Sequence, residues 1–182
     1  MRWTARLVAG SLIAGASVAA NAEQPGPAGF ARLEGLAGEW HGSYEWTGAR
    51  TGGGQMDARY YLTGNDSALV EDLSSGGVQV MTTLYHLDGD DLRMTHYCGA
   101  RNQPRLKAQS IDLARGVFSF AFVDATGLKS PDAPHVNGFE LELVDANHLK
   151  LAFQFVAGGQ QSTEHIALER VAATGSSPKP QP

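Results

Sequence analysis

From Trp40 to Val171 the apolar residues recur at every second position in short runs, and Gly, Asn and Asp interrupt them. No stretch keeps the 3.6-residue period of a helix, so the chain reads as all-β. The runs predict strands at 39–47, 55–63, 67–73, 78–87, 91–98, 105–112, 116–123, 137–144, 148–156 and 161–171. Thr63-Gly64-Asn65-Asp66, Asp88-Gly89-Asp90 and Asp145-Ala146-Asn147 separate consecutive runs with residues that accept a positive φ, and each is a hairpin signal. A meander of that length has to deal with its exposed edges. Closure removes them, so the pattern predicts a single up-and-down antiparallel barrel of about ten strands over 37–171.

The remaining segments are read from their punctuation. A short helix is expected at Phe30 to Leu36, within an N-terminal segment 23–36. The glycine run Thr51-Gly52-Gly53-Gly54 is expected to be a flexible turn and not a phosphate loop, because no helix follows it. Asp124 to Asn137, with Pro131 and Pro134, is the longest connection and a candidate lid over one mouth. Residues 172–182, rich in Ser, Pro and Gln, are expected to be a disordered tail.

Alternation also sorts the faces. Across an even-length turn at Asp88-Gly89, opposed residues share a face, which groups Gln79, Met81, Thr83 and Tyr85 with Leu92, Met94, His96 and Cys98. That set holds two methionines and no charge, so it is assigned to the interior, with Phe118, Phe120, Phe122, Leu149, Leu151, Phe153 and Phe155 from later strands. His86 falls on the outer face. Glu140, Glu142, Asp145 and Glu164 alternate with apolar residues and are read as a solvated outer surface.

Composition then narrows the partners. Arg2 and Arg6 precede an apolar run, Leu7 to Val18, and Ala20-Asn21-Ala22 follows it, so residues 1–22 read as a secretory signal cleaved near Ala22. The run is shorter than the roughly 20 residues of a membrane-spanning helix. A soluble periplasmic or secreted product is expected, carrying twelve basic and nineteen acidic residues and a net charge of −7. Scattered lysines and arginines on an acidic chain make nucleic acid a poor partner. The single cysteine allows no internal disulfide, so burial has to hold the fold together.

Most of the potential chemistry lies in Thr95-His96-Tyr97-Cys98-Gly99-Ala100-Arg101-Asn102-Gln103-Pro104-Arg105. His96 and Cys98 share a face at acceptable metal-ligand spacing, but no third ligand is evident, so a hydrogen-bonded buried histidine is preferred to zinc. His96 could act as base to a Cys98 nucleophile, yet no third group orients it, and a lone thiol is commonly a small buried hydrophobe. For haem, His96, His135 or His165 could be axial ligands, although no attachment motif is present, so no cofactor is assigned. Asn102 and Arg105 could tie the rim or clamp a ligand carboxylate at the mouth.

Leu36-Ala37-Gly38-Glu39-Trp40-His41-Gly42 resembles the Gly-x-Trp entry of calycin-type barrels, the group of lipocalins, fatty-acid-binding proteins and nitrobindin-like haem proteins. That resemblance implies a cation–π contact between Arg170 and Trp40 at the barrel base. Tyr85 to Asp90, Thr95 to Cys98, Asn102 to Arg105, Ser130-Pro131-Asp132, His135 and Asp145 to Leu149 are similar to an uncharacterised bacterial lipocalin-like family, a domain of unknown function. In that family a second histidine often stands two residues after the position of His135; this chain has Asn137 there. The resemblance implies the fold and assigns no activity.

The leading expectation is therefore a non-enzymatic barrel that binds a small, mostly apolar or amphiphilic molecule. Met81, Tyr85, Met94, His96 and Cys98 are expected to line the site, with Arg105 and His135 near its mouth. An enzyme using His96 with Cys98 or Arg105, and a haem- or gas-binding barrel, are the alternatives.

Overall fold

The computed structural model describes residues 25–172. The predicted signal segment and almost all of the predicted tail lie outside these residues. A helix, α1 (Pro25–Glu34), precedes ten strands: β1 (Gly38–Gly48), β2 (Gly52–Thr63), β3 (Ala68–Ser75), β4 (Val78–Asp88), β5 (Asp91–Tyr97), β6 (Gln103–Asp112), β7 (Val117–Thr126), β8 (His135–Leu143), β9 (His148–Ala157) and β10 (Gln160–Arg170). Each strand pairs antiparallel with its neighbour in sequence, and β1 pairs with β10 to close the barrel. The all-β, ten-stranded expectation holds. Among the described residues no helix is long and apolar enough to cross a membrane.

The turns follow their residue types. Gly64, Asn65 and Asp66 have φ of 64°, 57° and 63°, which the β2–β3 turn requires and which these residues reach at little cost. The β4–β5 hairpin has the expected register, pairing Tyr85 with Met94 and Thr83 with His96. Gln79 is an exception. A β-bulge between Leu73 and Ser74 of β3 sets Leu73 opposite Met81 and Ser74 opposite Gln79, so Gln79 faces outward and bonds Asp72 and Thr82. One extra residue reverses the alternation, which the sequence pattern does not reveal.

Three other boundaries differ from expectation. Within the described residues the helix runs from Pro25 to Glu34, upstream of the predicted Phe30–Leu36. It buries Gly26, Gly29, Phe30 and Leu33, one helical stripe, against the barrel end. A Cβ on Gly26 would sit 1.8 Å from the Asp90 carbonyl oxygen, so only glycine permits this approach. The glycine run is not a turn: Gly52, Gly53 and Gly54 open β2, with Gly53 against the Tyr44 carbonyl and Gly54 against its ring. The long connection is shorter than predicted, because β7 runs to Thr126 and β8 starts at His135.

The helix end of the barrel is shut by a latch. Arg170 lies 4.2 Å from the Trp40 ring centroid, as the resemblance implied, and its guanidinium donates to the carbonyls of Gly35, Ala37 and Ala146. Trp40 Nε1 donates to Leu36. Phe30, Leu33, Leu36, Trp40 and Leu92 continue into a core that fills the lower barrel. The opposite end carries the β1–β2, β3–β4, β5–β6, β7–β8 and β9–β10 connections and is the mouth.

Candidate functional site: a polar layer under an open mouth

Between the apolar lower core and the mouth the interior carries a polar layer. Glu71, wholly buried on β3, stands between Leu69 and Leu73 and accepts hydrogen bonds from Tyr60 (2.7 Å), Tyr85 (2.9 Å) and Thr83 (3.1 Å). Thr83 is also 2.9 Å from His96 Nδ1. Burial raises the Glu71 pKa, and the three donated hydrogen bonds pull it back. Burial beside Glu71 drives the Tyr60 and Tyr85 hydroxyls well above their ordinary range, so both remain donors.

This inventory fixes the histidine. With Glu71 ionised, the one Thr83 proton goes to Glu71, so Thr83 accepts from His96 Nδ1–H and Nε2 keeps a lone pair. Nε2 is buried with no partner among the described residues. Desolvation lowers the His96 pKa to about 4, which keeps the ring neutral near pH 7. The ring packs on Phe153 with centroids 4.9 Å apart.

Above this layer lies a cavity of about 410 Å³ lined by Trp46, Arg50, Met81, Cys98, Phe153, Phe155 and Glu164, with Pro134 and Val136 on the β8 side. Trp46 meets Phe155 edge to face at 5.9 Å. The Arg50 guanidinium carbon lies 4.7 Å from the Trp46 ring centroid and 4.2 Å from that of Phe155. The Arg50 backbone N–H is held by Ser162 Oγ at 3.0 Å, while its side chain enters no ion pair among the described residues. Two aromatic faces hold the cation, and its donors remain uncommitted.

Glu164 corrects the sequence reading. Expected on the solvated face, it lies opposite Trp46 and Phe153 on β10 and points inward, only 5% exposed. It shares that face with Ser162, Ile166 and Leu168. Burial pushes its pKa up to about 7, against the opposing pull of Arg50. It has no hydrogen-bond or ion-pair partner among the described residues.

The other predicted site residues separate into groups. Met81 and Cys98 line the cavity; Tyr85, Met94 and His96 are buried beneath it. Arg105 does not reach the interior. It faces outward on β6 and grips Asp124 through Nε (2.5 Å) and Nη2 (2.6 Å), because Pro104 and Leu106 take the inward positions. His135 is buried against Phe122 at 5.1 Å with Nδ1 2.7 Å from the Ala133 carbonyl, so it opens β8 and is not carried on a lid. Asn102 ties the rim by donating to the Pro134 carbonyl at 2.7 Å.

No hydrogen bond joins His96 to Cys98. The thiol accepts the Ala100 N–H at 3.4 Å, and burial raises its pKa, away from the thiolate a nucleophile needs. Among the described residues no group of three potential metal ligands occurs. Another hollow of about 370 Å³ lies over the outer faces of β1, β8, β9 and β10, where Glu45, Glu140, Glu142, Lys150 and His165 surround Ala152 and Ala167.

No family model matches the chain, and no curated protein does. Solved structures share its fold, among them the following two. A DUF3598-family protein of unknown function from Nostoc punctiforme matches with a TM-score of 0.52 and 14% identity over 76% of this chain and 49% of that one. The chain therefore spans about half the length of that protein. Rv2717c from M. tuberculosis matches with a TM-score of 0.54 and 16% identity, over 79% of this chain and 97% of that one. At such identity the likeness concerns the barrel alone.

Proposed function

We propose that this chain is an exported barrel that binds one small, largely apolar molecule at its mouth. The observation that carries the reading is the cavity itself. Its about 410 Å³ falls within the roughly 300–1,000 Å³ of small-molecule sites, and Met81, Phe153, Phe155 and Trp46 give it an apolar wall with few polar groups. The core below is packed and the base is latched, so this cavity opens at the mouth. Methionine and tilted aromatics suit a ligand of variable shape.

We assign no haem to the interior: His165 pairs with Thr47 on the outer face, and the His96 ring, although its Nε2 has no partner among the described residues, is wholly buried against Phe153.

Calorimetric titration with decan-1-ol tests the reading. One saturable site is expected, and Val136→Trp, which fills the cavity from β8, should abolish it while the protein stays folded. Absence of saturable binding in the unsubstituted protein overturns the proposal.

A further inference from the structure

The mouth is not chemically neutral, and its polar groups say which amphiphile it suits. Arg50 sits at the edge of the apolar well, flattened over Trp46 and Phe155, with guanidinium donors unclaimed by any acid. Glu164 lines the same well, yet the two form no ion pair. A protein seeking stability alone would join them or replace both with apolar groups. Here a cation and a buried acid are held apart around an open volume.

We propose that the mouth takes an amphiphile whose head is a single carboxylate, gripped by Arg50, with its apolar tail against Met81, Phe153 and Phe155 and with Glu164 serving as the second contact to the head. This rests on the binding site proposed above and adds the ligand class. The planar guanidinium matches a carboxylate with two parallel N–H donors. A neutral Glu164 carboxyl supplies an O–H donor to the same head; an ionised one repels it.

Burial makes that neutral form available, since Glu164 titrates near about 7. The groups facing it are few. Arg50 approaches from the β1–β2 connection and Cys98 from the end of β5, while β8 and β9 present Val136, Phe153 and Phe155. His96, deeper on β5, is neutral at these pH values. Ligand and site are therefore matched below neutrality, where the ligand is ionised and Glu164 is not, and binding weakens as pH rises through about 7.

Titrations of decanoate, decan-1-ol and decylamine into the full exported chain test this. Decanoate should bind at about pH 6 at least about tenfold more tightly than decan-1-ol, with decylamine weakest. Arg50→Gln should weaken decanoate at least about tenfold more than decan-1-ol, erasing the decanoate advantage. Between about pH 6 and about pH 8 decanoate affinity should fall about tenfold, and Glu164→Gln should remove that fall. Equal affinity for decanoate and decan-1-ol, or an Arg50→Gln effect common to both, overturns the head-group assignment and leaves the apolar site standing. Failure of both ligands to bind overturns both. A decanoate affinity that stays constant with pH excludes Glu164 from the head contact.

Discussion

Glu71 and Glu164 point into the same barrel, both almost free of solvent, yet Glu71 receives three hydroxyl donors whereas Glu164 has no partner. Burial strips Glu71 of its hydration and three hydroxyls replace it, whereas the Glu164 carboxyl has no protein partner among the described residues and borders the open cavity. Glu71 also links β2, β3 and β4 through Tyr60, Thr83 and Tyr85, and Thr83 passes the network on to β5 at His96. It belongs to the scaffold. Glu164 joins nothing, sits beside a cavity and ionises near neutrality, the circumstances in which buried acids are retained for binding. Burial alone does not distinguish a structural charge from a functional one; partners do.

Replacement by leucine separates the two most strongly. Glu71→Leu leaves the Tyr60, Tyr85 and Thr83 hydroxyls without their acceptor in a dry layer and should cost about 3 kcal/mol or more. Glu164→Leu removes a partnerless acid, and at about pH 8, where that acid is charged, it should be neutral or stabilising by about 1–3 kcal/mol. Urea denaturation of both variants measures the pair. Adding Tyr60→Phe and Tyr85→Phe to Glu71→Leu should recover part of the loss; a loss that persists in full would point to packing in place of hydrogen bonding.

Titration gives the next contrast, because Glu164 and His96 act with opposite sign. The folded protein holds a proton on Glu164 up to about 7, whereas the unfolded chain releases it near the usual 4.5, so stability falls as pH rises between those values. Glu71, also raised, adds to that fall. Folded His96 stays neutral down to about 4, whereas the unfolded chain takes up a proton near 6.5, so stability rises with pH from about 4 to about 6.5. The Glu164 and His96 effects are each at most about 3 kcal/mol. They overlap and oppose between about pH 4.5 and 6.5, and above that the rising histidine limb is spent and the carboxyl fall remains. His96→Phe should expose the falling limb across the whole range, and Glu164→Gln should steepen the rising one. Two variants with the same pH profile as the parent protein would show that neither group carries these shifts.

Much of this barrel was legible in the alternation. The period of two located all ten strands within a few residues, and hairpin parity placed Thr83, Tyr85, Met94, His96 and Cys98 inward. Glu71 was missed although a signal existed: it occupies the inward phase between Leu69 and Leu73. Val70, buried on the other phase, blurred that alternation, and an acid was expected to seek water. Glu164 has the same signature beside Ile166 and Leu168. Arg50, outside the predicted strands, had no phase at all; only the closed barrel brings it over Trp46 and Phe155. Gln79 failed for a local reason, the bulge. The helix lies upstream of the expected span because its prolines and glycines read as coil, whereas Gly26 is what lets it dock.

The smallest expected effect concerns the other arginine. In the sequence Arg105 suits a ligand carboxylate, because it follows the His96–Cys98 segment and opens a predicted strand. In the fold it holds Asp124 with two short hydrogen bonds on the outer surface, well exposed. An exposed pair exchanges one hydrated state for another and is screened by salt, so its geometry, although bidentate, adds little to folding. Arg50 forms no such pair and faces the cavity. Arg105→Gln should therefore leave the urea midpoint, decan-1-ol affinity and decanoate affinity at their original values, measured beside Arg50→Gln under identical salt. A selective loss of decanoate binding in Arg105→Gln would instead move the head-group site to the outer face of β6, and the contrast between a committed and an uncommitted arginine would fail with it.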